Sequence, residues 1–192
     1  MYAKVENNQI VKVNSNLASF NNAAPSWSAE QLAANGIYDV VYDHSNLKDE
    51  RFYINGAESF DFANDTVTAS HGSATGKALD DVNGTDENGV ELDPVVVISG
   101  VKSIEKNHIK SQANNLLHPT DWYVVRHAET ATEIPANVST YRTAVRTKAN
   151  EMETAIDGAA TIEAVEALFT YINTGTEENP VNARPIGEWP TL

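Results

Sequence analysis

Gly100 divides this chain into two hydrophobic periodicities, and that division limits the available folds more than any other feature. Before it, apolar residues alternate or gather in short runs broken by Asn, Gly and Asp. After it, they recur every three to four residues. A period of two puts one set of side chains on one face of a strand, and a period of 3.6 puts them on one stripe of a helix. The chain therefore reads as α+β. A small antiparallel β-rich N-terminal domain (1–80) is followed by an acidic, turn-rich connector and strand (81–100). A helical module of three to four helices (101–174) and an extended tail (175–192) complete it.

In the first part, AKVENNQIVKV (3–13) places two short runs around Asn7-Asn8, the composition of a hairpin. APSWSAEQLAANG follows with a compact helix: Ser28 is the expected N-cap, Gln31 stands at capping-box spacing, and Gly36 suits the residue past the end. IYDVVYD (37–43) is a strand, and RFYING (51–56), ESFDF (58–62) and NDTVTASH (64–71) are further strands. Residues 80–93 form the acidic connector, and PVVVIS (94–99) is one more strand.

In the second part, Ile104, Ile109, Ala113 and Leu116 can share one helical face, in a helix that stops at Pro119. Tyr141, Val145, Met152 and Ile156 line another, from about 136 to Gly158. Thr161 can cap a last helix over 162–173, striped by Ile162, Val165, Leu168, Phe169 and Ile172. TEENPVNARPIGEWPTL carries three prolines and no periodicity, so it should lie extended on a surface.

Composition narrows function. Apolar residues make up 41% of the 192, enough for a core and too many for a wholly disordered chain. The formal charge is -14 and no basic cluster offsets it, so neither nucleic acid nor an anionic membrane is an expected partner. No run approaches the roughly 20 apolar residues that span a bilayer. The N-terminus shows no secretory h-region, which suits a soluble protein made in a cytoplasm.

Chemistry-bearing patterns are sparse. Without cysteine there is no thiolate nucleophile or Cys-based zinc site. HGSATGKAL (71–79) is one residue short of a phosphate-binding loop, and Ala78 stands where a magnesium-binding hydroxyl belongs. Counted from Asp81, the glycine position of a calcium loop holds Asp86. The five histidines form no metal-binding spacing, and the paired acids fall in turns or in the tail. The expectation is a non-enzymatic protein with no cofactor and no metal.

The informative stretch is NNLLHPTDWYVVR (114–126). Pro119 disfavours helix at His118, Thr120 can cap a new helix, and Asp121 suits its positive end. Trp122 and Val125 then face back toward Leu116 and Leu117, a helix–corner–helix with the indole plugging the corner. Arg126 emerges beside it, within reach of Glu129 or Glu133. Trp122 is either core or an anchor. On the second reading the corner joins Tyr141, Arg142 and Arg146 in a docking face, since Arg and aromatic residues carry much interface energy.

Leu116, Leu117, Thr120, Asp121, Trp122, Arg126, Ile134, Pro135, Tyr141, Arg142 and Arg146 together form a pattern that resembles the phage tail assembly chaperone family. The Glu188-Trp189-Pro190 ending is similar to one common in that group. The family's tryptophan ahead of Tyr-Arg is replaced here by Asn137–Thr140, and a further helix follows the Arg helix. The N-terminal phrases Met-Tyr-Ala and Ala-Asn-Gly-Ile-Tyr-Asp-Val resemble tail and tail-fibre-associated proteins more loosely. The resemblance implies a virion component of a bacteriophage tail, an adaptor or fibre-associated protein. Its partners would be other tail or fibre proteins, with Trp122, Arg126, Tyr141, Arg142, Arg146 and Trp189 at the contact and homo-oligomers open. The alternative is a fibre-assembly chaperone that leaves before the particle is complete.

Overall fold

Two Asn-led turns build the sheet of the first unit. The computed structural model describes residues 1–20 and 23–192. Strands β1 (Tyr2–Glu6) and β2 (Gln9–Asn14) form an antiparallel hairpin whose turn residues Asn7 and Asn8 both have positive φ (51° and 61°). Asn tolerates that left-handed geometry, which matches the twist of the flanking strands. After α1 (Ala29–Ala34) come β3 (Ile37–Asp43), β4 (Tyr53–Ile54), β5 (Glu58–Ala63) and β6 (Thr66–His71). The β5–β6 hairpin repeats the device with Asn64 and Asp65 at φ 50° and 56°.

The sheet order is β2-β1-β3-β6-β5. Three pairings are antiparallel, but β3 and β6 run parallel, so the sheet is mixed where the sequence suggested purely antiparallel. The β5 strand takes the outer position because its short Asn64-Asp65 turn ties it to β6 as a hairpin. The sheet curls, and side chains from all five strands meet on its inner face: Ala3 and Val5, Val40, Val67 and Ala69 are buried there, with Ile10, Val13, Phe60 and Phe62 packed against them. The other face is covered where Leu32 of α1 and Phe20 bury Ile37.

The α1 termini follow the sequence reading. Ser28 Oγ accepts from Gln31 N while Gln31 Oε1 accepts from Ser28 N, a complete capping box. Gly36 has φ +66°, and a Cβ there would lie 2.6 Å from the Val5 carbonyl oxygen, so only glycine fits.

The contacts divide the chain into Met1–Thr75 and Gly76–Leu192, so the acidic connector belongs with the helices; β7 (Thr75–Gly76) straddles the junction. In the second unit β8 (Val82–Asn83) pairs antiparallel with β9 (Val97–Ile98), a shorter strand than 94–99. Helices α2 (Val101–Leu117), α3 (Asp121–Thr130), α4 (Ala136–Gly158) and α5 (Ile162–Phe169) follow. The stripe on α4 falls as its spacing predicts: Tyr141, Val145, Ala149, Met152 and Ile156 are buried against Ile109 and Ala113 of α2. On α2 the buried row is Val101, Glu105, Ile109 and Ala113, at i, i+4 spacing; Ile104 falls off that row and stands exposed, contrary to expectation.

The last helix is shorter than its apolar stripe. It ends at Phe169 rather than 173, because Ile172–Asn173 is β10, paired antiparallel with β11 (Asn182–Ala183). Asn173 Oδ1 accepts from both Gly175 N and Val181 N, which fixes the turn between them. The tail then returns to the helices. Ile186 N donates to Leu168 O, and the Ile186 side chain, 4% exposed, enters the α2–α4 core. Among the described residues no helix is long and apolar enough to cross a membrane.

Candidate docking site

The corner between α2 and α3 is closed by α4. A helix ends with carbonyls that lack an intrahelical donor, and Pro119 deepens the deficit because it has no N–H. Two consecutive α4 residues supply what is missing. Tyr141 Oη donates to Leu116 O at 3.3 Å, and Arg142 Nη1 donates to Leu117 O at 2.9 Å. The cation also suits the negative end of the α2 dipole.

Arg142 does more than cap. Its Nη1 donates to Thr120 Oγ1 at 2.6 Å and lies 2.9 Å from Asp121 Oδ1. Thr120 Oγ1 in turn donates to Leu117 O at 2.8 Å. This network holds the chain in a 3₁₀ turn, His118–Thr120, with His118 in the right-handed helical region that a following proline disfavours. The α2 helix does end at Leu117, but the path bends through a continuous turn instead of breaking.

Several expectations change in consequence. Thr120 makes no capping bond to α3; its hydroxyl is buried in the Arg142 network. Arg142 is 7% exposed and so belongs to the corner rather than to a docking face. Tyr141 is buried as well. Trp122 does not plug the corner. It is 51% exposed and Val125 is also exposed, because the 3₁₀ turn rotates α3 and aims Thr120 inward in their place.

The remaining residues spread over three places. On α3 the Trp122 and Tyr123 rings lie tilted at 33° with centroids 4.0 Å apart, and the Arg126 guanidinium lies 4.6 Å from the Trp122 ring centroid. Arg126 is thus engaged with rings and not with Glu129 or Glu133, and its Nε is enclosed without a hydrogen-bond partner. Arg146 is exposed one turn beyond Arg142, whose carbonyl its Nη1 approaches at 3.4 Å. Trp189 is half-buried against the core, its Nε1 donating to Gln112 Oε1 at 2.8 Å. Beside it, two hydrogen bonds from Arg184 hold the Glu188 carboxyl below the usual carboxylate range.

The α3 helix carries apolar and aromatic side chains together with Arg126 and two acids, Asp121 and Glu129. Its ten residues include Trp122, Tyr123, Val124 and Val125, yet none is buried. Tyr123 was missed by sequence reasoning, although its adjacency to Trp122 ahead of Arg126 was a usable signal. Among the described residues no group of three His, Asp or Glu side chains is placed to share a metal ion. No family model, curated protein or solved structure matches the chain.

Proposed function

We propose that this protein is a non-enzymatic structural component of a bacteriophage tail, an adaptor or fibre-associated virion protein that works by docking to other tail proteins. The observation that carries the reading is the unburied α3 helix. Ten residues with three large apolar side chains exposed are stable in water chiefly because α2 and α4 anchor the corner, and a partner would remove that surface from solvent. The Trp122–Arg126 pair supplies the residue types in which interface energy concentrates. The tail-protein identity itself rests on the motif resemblance, of which Asp121, Trp122 and the half-buried Arg126 are the members on α3.

Mass spectrometry of purified virions tests this directly. Stoichiometric peptides from this chain are the expected result. Their absence from particles, with the protein abundant in the infected-cell lysate, would replace the structural role with that of an assembly chaperone.

A further inference from the structure

Residues 95–98, of which Val97 and Ile98 form β9, depart from the way an extended apolar run is ordinarily built. Successive side chains point to opposite faces, so a two-sided apolar run belongs to a strand covered on both sides. Here Val95, Val96, Val97 and Ile98 are each at least 50% exposed, which leaves both faces uncovered. Val90 and Leu92, returned alongside by the Asp86–Val90 and Leu92–Gly84 backbone hydrogen bonds, extend the same aliphatic surface. Residues 91–92 return beside the end of β8, and among the described residues β9 pairs with β8 alone, which leaves its outer edge with no neighbouring strand. Natural edges are usually blunted by charge within the strand, and 95–98 carries none.

The charge around this strip identifies what could cover it. Between 78 and 101 there is no Lys or Arg, while six acids run from Asp80 to Asp93. Asp80 has Lys102 at 3.4 Å and Asp81 lies in the field of Lys106, and among the described residues no ion pair involves Asp86, Glu87, Glu91 or Asp93. A second copy would lay the same strip against itself in an isologous contact, bringing like charges together. We infer that the 95–98 edge receives an extended segment of a different protein, aliphatic on alternate residues and flanked by Lys or Arg. Added as a strand, such a segment would meet the free edge with its main chain, the valines with its side chains and the acids with its flanks. This surface lies on a different element from α3, and the inference holds whether or not the assembly is a phage tail.

The test uses the full chain and two synthetic peptides of about ten residues, alternating Val and Thr, one with Lys at both ends and one with Glu. The Lys-flanked peptide is expected to bind roughly tenfold or more tightly than the other, less so in high salt. Val95→Ser combined with Val97→Ser should abolish that binding with an unchanged thermal melt. Glu87→Lys with Asp93→Lys, a pair that leaves the valines intact, should reverse the peptide preference. Equal binding of both peptides, binding of neither, or indifference to the valine substitutions would overturn the inference. So would a sedimentation dimer that the serine substitutions dissolve, since the occupant would then be a second copy.

Discussion

Arg142 Nη1 donates to the Leu117 carbonyl oxygen at 2.9 Å across 25 residues of sequence, and this bond makes the end of one helix a function of the register of another. At the α2 terminus the side chains of Thr120 and Arg142 both donate to that carbonyl. The same guanidinium reaches Thr120 and Asp121, so the first residue of α3 is placed by α4 as well. The exposure of Trp122 is a downstream effect of this packing.

Arg142→Ala should therefore destabilise the fold, by about 2–3 kcal/mol, because it strips charged donors from buried acceptors. Little of this comes from Asp121, whose side chain is 52% exposed and well screened. Arg142→Lys should recover only part, since the shorter lysine side chain falls short of the position from which Arg142 Nη1 meets Leu117, Thr120 and Asp121. Urea unfolding followed by circular dichroism reads both. A loss below about 0.5 kcal/mol would show that the corner does not depend on Arg142.

Trp122→Ala should leave the isolated protein nearly as stable, losing about 1 kcal/mol or less from the Tyr123 and Arg126 contacts. Met152→Ala, in the α2–α4 core, should cost about 2–5 kcal/mol in the same experiment. If α3 is the docking helix, only the first substitution removes the protein from complexes recovered from infected cells while its melt stays in place. A large stability loss from Trp122→Ala would mean the indole is core after all.

Local features were legible in the sequence, and long-range ones were not. Ser28, Gln31 and Gly36 define α1 because each acts within a few residues of its partner. The Asn7-Asn8 turn and the α4 stripe were readable for the same reason, since one needs two residues and the other only a period. The pairing of Arg142 with Leu117 depends on where α4 comes to rest, which no local pattern encodes. Parallel pairing of β3 with β6 likewise depends on β5 taking the outer position through its hairpin. Ile172 continued the α5 stripe in sequence, but Asn173 found two backbone donors in a turn and the helix ended sooner. The 95–98 run did carry a signal, its lack of alternation, which reads as burial on both faces until the exposed structure shows otherwise.

Three carboxylates of the second unit, Asp81, Asp86 and Glu188, are held below their usual range, and the first and last of them give it a defined acid response. Asp81 accepts the Gly100 N–H at the start of α2, and Glu188 is held by Arg184; in both, these hydrogen bonds lower the folded-state pKa. A depressed pKa contributes stability that is complete above the unfolded value, about 4, and is lost as pH falls through the folded value. NMR titration of the two carboxyl carbons should give midpoints below those of unfolded peptides. Asp81→Asn should flatten the acid response at the α2 start and leave that of the tail unchanged. Midpoints at or above about 4 would contradict the assigned contacts.

The tail is the place where a proline-rich, aperiodic sequence nevertheless contributes to the core. Ile186 is buried among Ile109, Tyr141 and Val145 and their neighbours, so Ile186→Ala should cost about 2–4 kcal/mol, as a core truncation does. Trp189 is tied by a single hydrogen bond to Gln112, and Gln112→Ala should cost about 1 kcal/mol or less. The two substitutions should differ in a second way. Gln112→Ala should speed exchange of the Trp189 indole proton while leaving the Leu168–Ile186 backbone bond protected, whereas Ile186→Ala should expose both. Hydrogen exchange followed by NMR separates them, and rapid exchange at Ile186 in the unmodified protein would show that the tail does not rest on the helices in solution.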